Sequence, residues 1–275
     1  MEVKNKQLSR VAVLISRPTI LKAPLPAGSA FKKIYRWILG GSLPFQNERA
    51  FYLANAERFR GVESFESANI LMIQYQEPEG VVSKFDITPS VAAEVFEQIA
   101  SYRAHNTFGP IKQVMFRALN GPMQRTLRDI KSSNFFSLSE KARLALAVVQ
   151  LHVRNQKKPK IPTFIHNDLI LHNLIRIDGE LIPIDFEDSL QESTWFFVDL
   201  TDLLFQRQEW TKEEVLQVIL DTGLLKESKM PPGSERAHFD FGFLRYHIRA
   251  TVMSRQKSCE KKRAASLVRE WLNDK

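Results

Sequence analysis

The sequence predicts an α+β chain in which a small strand-rich part precedes a larger helical one. Three observations carry this. Runs rich in Val and Ile cluster before residue 78. Helix-start signals cluster after it. A polar strand–loop–strand, FIHNDLILHNLIRIDGELIPIDF at 164–186, sits inside the helical part. With 275 residues, 44% of them hydrophobic and 25% charged, the chain can bury a sizeable core as one large domain or two lobes. That composition excludes disorder or coiled coil as the main theme.

Two β-like runs open the chain at 10–15 and 19–23, punctuated by Pro18 and Pro24. The spacing of Phe31, Ile34, Tyr35 and Ile38 predicts a helix over 29–39, which Gly40-Gly41 ends. A second helix is expected over about 45–58, with Glu48 in its first turn. Strands follow at 62–65 and 68–75, the latter (ANILMIQY) apolar enough to be buried. Glu77-Pro78-Glu79-Gly80 breaks it, which divides the chain into 1–78 and 79–275.

Thr88-Pro89, an N-cap followed by proline at the first helical position, starts a helix to about Ala104. Ser137-x-x-Glu140 is a capping box that opens a helix through about Arg154. Thr211-x-x-Glu214 repeats the signature, and Gly223 closes that helix. The stretch 108–136 shows no clear pattern, and there are no internal repeats.

Composition narrows the setting. Cys259 is the only cysteine, so no internal disulfide forms and a reducing compartment fits best. No zinc-ligand cluster is visible. The N-terminus lacks the apolar core of a signal peptide. The most apolar runs, 145–151 and 195–205, are too short or too charged to span a bilayer. A cytoplasmic protein is expected. The net charge of +8, concentrated in 245–275, favours anionic partners: nucleic acid, phospholipid headgroups or a phosphorylated substrate. A solvated helix face explains it equally well.

The segment 164–186 carries the chemistry. Asp168 lies in a loop just after an apolar strand start, Asn173 follows five residues later, and a short apolar strand ends at Asp185. Asp178-Gly179 is the turn that pairs 174–177 with 181–184 as a hairpin and so brings Asp185 beside Asn173. Phosphoryl transfer needs this set: one carboxylate at the acceptor hydroxyl, and an amide with a second carboxylate on a Mg²⁺ ion that bridges ATP phosphates. Taken singly, Asp168 reads as a turn residue and His166 as a core histidine. Together, in this order, they read as a site.

These residues resemble the catalytic and metal-binding loops of the protein-kinase-like superfamily, in its small-molecule branch of aminoglycoside phosphotransferases, choline kinases and lipopolysaccharide-core kinases. The likeness rests on His166-x-Asp168, Asn173, Ile184-Asp185-Phe186-Glu187-Asp188 and Asp199-Leu200, and it covers about 164–204. It implies a two-lobed kinase-like fold, with an antiparallel β-rich N-lobe and a mainly helical C-lobe. It also implies Asp168 as the catalytic base, Asn173 and Asp185 as metal ligands, and Asp199 as a brace for the catalytic loop.

The resemblance further implies an ATP-site lysine paired with a glutamate, matched by Lys22 and Glu48, with Lys32 and Lys33 as rivals for Lys22. The helix holding Lys32, Lys33 and Arg36 resembles the lipopolysaccharide kinase group. Backbone groups near Gln74, Tyr75 and Gln76 would meet adenine. The activity implied is ATP-dependent transfer to a hydroxyl of a small molecule or lipid-linked sugar, with a glycolipid acceptor and an anionic membrane surface as partners and no specific nucleic acid. Two alternatives stay open: a kinase-like nucleotide- or partner-binding protein without turnover, and a protein Ser/Thr kinase.

Two features depart from the pattern. No glycine-rich loop precedes Lys22. Nothing after Asp185 resembles an activation segment, which weighs against a protein kinase. Asp240-Phe241-Gly242 spells the protein-kinase metal motif but has no hairpin to carry it to Asn173, and it reads as a packed helical or turn segment.

Overall fold

Strand-forming residues at the start of the chain build an antiparallel sheet, and helices with apolar faces pack the remainder. The computed structural model describes residues 2–6, 11–16, 19–24, 43–55, 57, 62–67, 70–75, 80, 82–102, 110–157, 163–206, 210–221, 234–253 and 256–275. The sheet comprises β1 (Glu2–Lys6), β2 (Val11–Ser16), β3 (Thr19–Pro24), β4 (Val62–Ser67) and β5 (Ile70–Tyr75). Its order is β1-β2-β3-β5-β4 and every pairing is antiparallel. Four of these strands match the sequence expectation within two residues; β1, with alternating charge and little hydrophobicity, does not announce itself.

Helix α1 (Leu43–Asn55) packs against β3 and against a short 3₁₀ turn, Phe186–Asp188. Glu48 is its sixth residue, so it lies in the second turn and not the first. The expected helix over 29–39, with Lys32 and Lys33, lies outside the described residues, as do Gly223 and Gln76.

The remainder is mainly helical. Helix α2 (Pro89–Ser101) starts where Thr88 Oγ1 accepts the Val91 N–H at 3.3 Å. The unreadable stretch 108–136 holds two helices, α3 (Pro110–Asn120) and α4 (Pro122–Ser132), separated by Gly121. The capping box at Ser137 forms and opens α5 (Leu138–Gln156). The second box also forms: the Thr211 N–H donates to Glu214 at 2.7 Å, before α7 (Lys212–Asp221). Between them run β6 (Thr163–Ile165), the hairpin β7 (Leu174–Ile177) and β8 (Glu180–Pro183), β9 (Leu190–Glu192), and α6 (Val198–Phe205). Helices α8 (Glu235–Val252) and α9 (Ser258–Asn273) finish the chain.

Aromatic packing ties the two parts together. Phe51 of α1 stacks on Phe186 with ring centroids 3.7 Å apart, and on Phe164 of β6 at 5.3 Å. Burying such rings supplies about 25 cal/mol for each Å² of apolar surface removed from water, so this cluster seats α1 on the central segment. A second cluster stacks Trp195 on Phe241 at 4.0 Å.

The Asp240-Phe241-Gly242 motif belongs to this second core. Phe239, Phe241 and Phe243 are buried in α8, and Asp240 accepts from Trp271 Nε1 at 3.2 Å and pairs with Lys275 at 3.0 Å. Gly242 is there because α6 crosses close by; a Cβ would lie 2.4 Å from Thr201 Oγ1. Among the described residues no helix is long and apolar enough to cross a membrane.

Candidate functional site

The loop that leaves β6 at His166 is shaped by one buried carboxylate. Asp199, in the first turn of α6, accepts the backbone N–H of His166 at 2.6 Å and that of Asn167 at 2.8 Å. Burial pushes Asp199 up to about 7, and the two backbone donors pull the other way. Asn167 takes a left-handed conformation, φ 64°, which a short polar side chain tolerates best. Its amide donates to Asn120 O at 2.6 Å and Asp188 O at 3.3 Å, so the strained residue is held from both sides.

His166 is structural. Its Nε2 donates to the Ile184 carbonyl at 2.8 Å, which bolts the loop to the residue before Asp185. Burial lowers its pKa to about 4, so the ring is neutral at pH 7.

Asp168 and Asn173 meet directly. Asn173 Nδ2 donates to the Asp168 carbonyl at 2.8 Å and lies 3.5 Å from Asp168 Oδ2. This orients the amide and leaves its carbonyl oxygen without a hydrogen bond among the described residues. Leu169 between them is fully buried under the loop.

The hairpin forms as its turn requires. Asp178 and Gly179 both have positive φ, 50° and 81°, and Leu174 pairs with Pro183. Ile184 N–H then donates to the Asn173 carbonyl at 2.8 Å, so the next residue, Asp185, emerges beside Asn173. Asp185 is itself left-handed, φ 70°, at the start of the Phe186–Asp188 turn. Asn47 of α1 braces that turn, donating to Ser189 O at 2.7 Å and to Phe186 O and Glu187 O at 3.3 Å. Glu48, the next residue, is fully buried.

The remaining predicted residues lie on the sheet. Lys22 stands on β3 between Val13 and Leu71, and its position is described through the backbone. Gln74 is flanked by Thr19 on one side and Glu63 on the other. Tyr75, the last residue of β5, pairs with Val62.

Three arginines at the loop escaped the sequence reading. Arg125 of α4 donates to Asn167 O at 3.0 Å, pairs with Asp188 at 2.9 Å and approaches Asp168 Oδ1 at 3.6 Å. Arg245 and Arg249, one turn apart on α8, reach Asp202 and Asp168 respectively. Arg245 also donates to Asn167 O at 2.6 Å. The residues at 245–275 had read as a basic surface, yet Arg245 is 2% exposed. The signal for Arg245 and Arg249 was an arginine pair at i, i+4 among the buried apolar residues Phe241, Phe243, Leu244 and Ile248 of α8.

Solved structures place this architecture. An ethanolamine kinase from Plasmodium vivax superposes with a TM-score of 0.60 at 11% identity, covering 98% of this chain and 81% of its own. The fold is that of the small-molecule kinases. An aminoglycoside phosphotransferase bound to ADP and hygromycin B matches this small-molecule kinase fold with a TM-score of 0.55 at 14% identity, covering 99% and 92%. An amicoumacin kinase, in complex with AMP-PNP, Ca²⁺ and its antibiotic, gives 0.51 at 11%, covering 99% and 90%. No protein-family model and no curated protein sequence matches the chain.

The donor set fits a hard divalent cation: an amide oxygen from Asn173 and a carboxylate from Asp185, with nucleotide phosphates to complete it. Among the described residues no group of three or more His, Cys, Asp or Glu could hold a metal alone.

Proposed function

We propose that this protein is an ATP-dependent phosphotransferase that moves the γ-phosphoryl group to a hydroxyl of a small molecule or lipid-linked sugar. One observation carries the reading: Asn173 is bonded to Asp168, and the hairpin that bonds Asn173 delivers Asp185 beside it. The likeness in fold to small-molecule kinases supports it.

Asp168 is the base. It orients the acceptor hydroxyl and receives its proton late in the transfer, while the new bond forms from the acceptor oxygen to the γ-phosphorus. The bond from that phosphorus to the bridging oxygen breaks, and ADP leaves with the electron pair. Asn173 and Asp185 would hold Mg²⁺, which neutralises charge on the phosphates when bound. Lys22, held by Glu48, pairs with the α- and β-phosphates. Backbone groups near Gln74, Tyr75 and Gln76 meet adenine. Residues 1–78 form the nucleotide lobe and 79–275 the acceptor lobe. The reaction is cytoplasmic, on a soluble or membrane-borne glycolipid acceptor.

A second reading, nucleotide binding without turnover, is favoured by Arg249, which already occupies the Asp168 carboxylate. Incubation with Mg²⁺-ATP and a panel of amino alcohols, aminoglycosides, sugars and lipopolysaccharide fragments separates the two. Asp168→Asn should lower turnover by about 10²–10⁴-fold with nucleotide affinity kept, the range for removing a general base. Asp185→Ala should weaken Mg²⁺-dependent nucleotide binding. ATP binding with no transfer to any acceptor supports the second reading, and no nucleotide binding at millimolar concentration overturns both.

A further inference from the structure

The two carboxylate oxygens of Asp168 face different chemistry. Oδ2 looks to Asn173, 3.5 Å from its Nδ2. Oδ1 is where two guanidinium groups converge, Arg249 Nη2 in direct contact and Arg125 Nη2 at 3.6 Å. Both arginines come from helices of the acceptor side, α8 and α4.

The arginines of this cluster are not equivalent. Arg125 is tethered to Asn167 O and Asp188, and Arg245 to Asp202 and Asn167. Arg249 has Asp168 alone as a close partner. Its Nη1 is buried without a hydrogen bond, and the nearest carboxylate, Asp202, is 3.7 Å away. A buried guanidinium left part-paired is costly, and a planar fork of N–H donors matches a phosphate group.

We propose that Arg249, seconded by Arg125, recognises a phosphate group on the acceptor, so that the substrate is a phosphorylated polyol or sugar with a free hydroxyl. The inference rests on the kinase reading above. Asp168 Oδ1 is buried beneath Arg249, so a hydroxyl reaches that oxygen only once the guanidinium moves aside. A phosphate carried by the acceptor draws the guanidinium away and leaves the carboxylate for the neighbouring hydroxyl. A cationic acceptor leaves the pair closed and is repelled by both arginines. Electrostatics agrees with the geometry: burial lowers Arg249 to about 9, Arg125 acts in the same direction, and Asp129 opposes them. Burial also raises Asp202 and Asp129, which weakens their hold as counter-ions.

The test uses the full chain and four probes: glycerol 3-phosphate, glycerol, ethanolamine, and phosphatidylglycerol vesicles. Calorimetry should show glycerol 3-phosphate binding at least about tenfold more tightly than glycerol or ethanolamine, the scale of one charge-assisted contact. Arg249→Gln should erase that preference, and Arg249→Lys, which keeps the charge but not the fork, should keep part of it. Where transfer occurs, Arg249→Gln should raise the acceptor KM about tenfold and leave the ATP KM within about twofold.

Binding to vesicles alone assigns a lipid headgroup as the source, and binding to dissolved glycerol 3-phosphate alone assigns a free metabolite. Binding to neither overturns the proposal. So does equal or tighter binding of ethanolamine, a preference that survives Arg249→Gln, or a rise in the ATP KM instead of the acceptor KM. If Arg249→Gln does not fold, Arg249→Lys carries the comparison, and a preference for glycerol 3-phosphate that it leaves undiminished overturns the proposal. Phosphate binding without any transfer sinks the kinase reading but not the anion site. Transfer to ethanolamine with no phosphate preference does the reverse.

Discussion

Asn47 of α1 donates its side-chain amide to the carbonyl of Ser189, 2.7 Å away, across the join between the strand-rich part and the turn that follows Asp185. The same nitrogen lies within 3.3 Å of Phe186 O and Glu187 O. One residue later comes Glu48, the proposed partner of Lys22. A single turn of helix thus holds both Glu48 and the residue that braces the turn after Asp185.

Asn47→Ala removes the side-chain donor that the buried Ser189 carbonyl accepts from. The expected loss is about 2 kcal/mol of stability, the cost of a buried unsatisfied group. In a chain of this size that lowers the melting temperature by roughly 4–8 °C. Calorimetric melts check it, and Mg²⁺-dependent nucleotide affinity should fall as well.

Asp199→Asn replaces a two-fold acceptor with a group whose amide end faces a backbone N–H. Stability should drop by about 2 kcal/mol. Turnover should fall roughly 100-fold, because a displacement of about 1 Å at Asp168 is enough for that. Nucleotide affinity should change much less, since the side-chain hydrogen bonds of Asp199 among the described residues go to the backbone of His166 and Asn167. Equal losses in both would mean a global defect and not a misplaced base.

Gly242→Ala puts a methyl within 2.4–2.6 Å of Thr201. The expected cost is about 1–3 kcal/mol, the usual range for overpacking a core. Thr201→Ala in the same chain removes two of the three crowding atoms and should restore part of the loss. Metal and nucleotide binding should be unaffected at temperatures where the variant stays folded, because this glycine serves helix packing.

His238 is buried against Trp195, Phe196 and Phe197, and burial lowers its pKa from 6.5 to about 3. The folded value lies below the unfolded one. The neutral ring's contribution is therefore full above pH 6.5 and is lost as pH falls toward 3. The slope is at most one proton, about 1.4 kcal/mol for each pH unit. Urea unfolding at pH 6.5, 5.5 and 4.5 should show a flatter pH dependence in His238→Gln by up to that amount. An identical slope would mean the histidine is protonated without cost.

Much of the active loop is legible before folding because its parts are near neighbours in the chain. Asp168, Asn173 and Asp185 are joined by a five-residue loop and a hairpin whose Asp-Gly turn has one preferred geometry, and both capping boxes are read from residues three apart. Backbone rules act over these distances, so spacing alone carries the information. The Asp240-Phe241-Gly242 motif could be set aside for the same reason, since no local element links it to Asn173.

What the tertiary structure decided lies in contacts between helices distant in sequence. Helices α3 and α4 had no readable pattern, and the basic stretch after residue 244 read equally as solvated surface. Nothing in the chain order says that Arg125 and Arg249 converge on one oxygen of Asp168, that Arg245 is buried on Asp202, or that Asn47 braces the turn after Asp185. Those contacts follow from how α1, α4 and α8 pack around the loop, and packing depends on complementary surfaces that no single segment contains. The sequence by itself determined the order and spacing of Asp168, Asn173 and Asp185; the folded structure decided which charges surround Asp168.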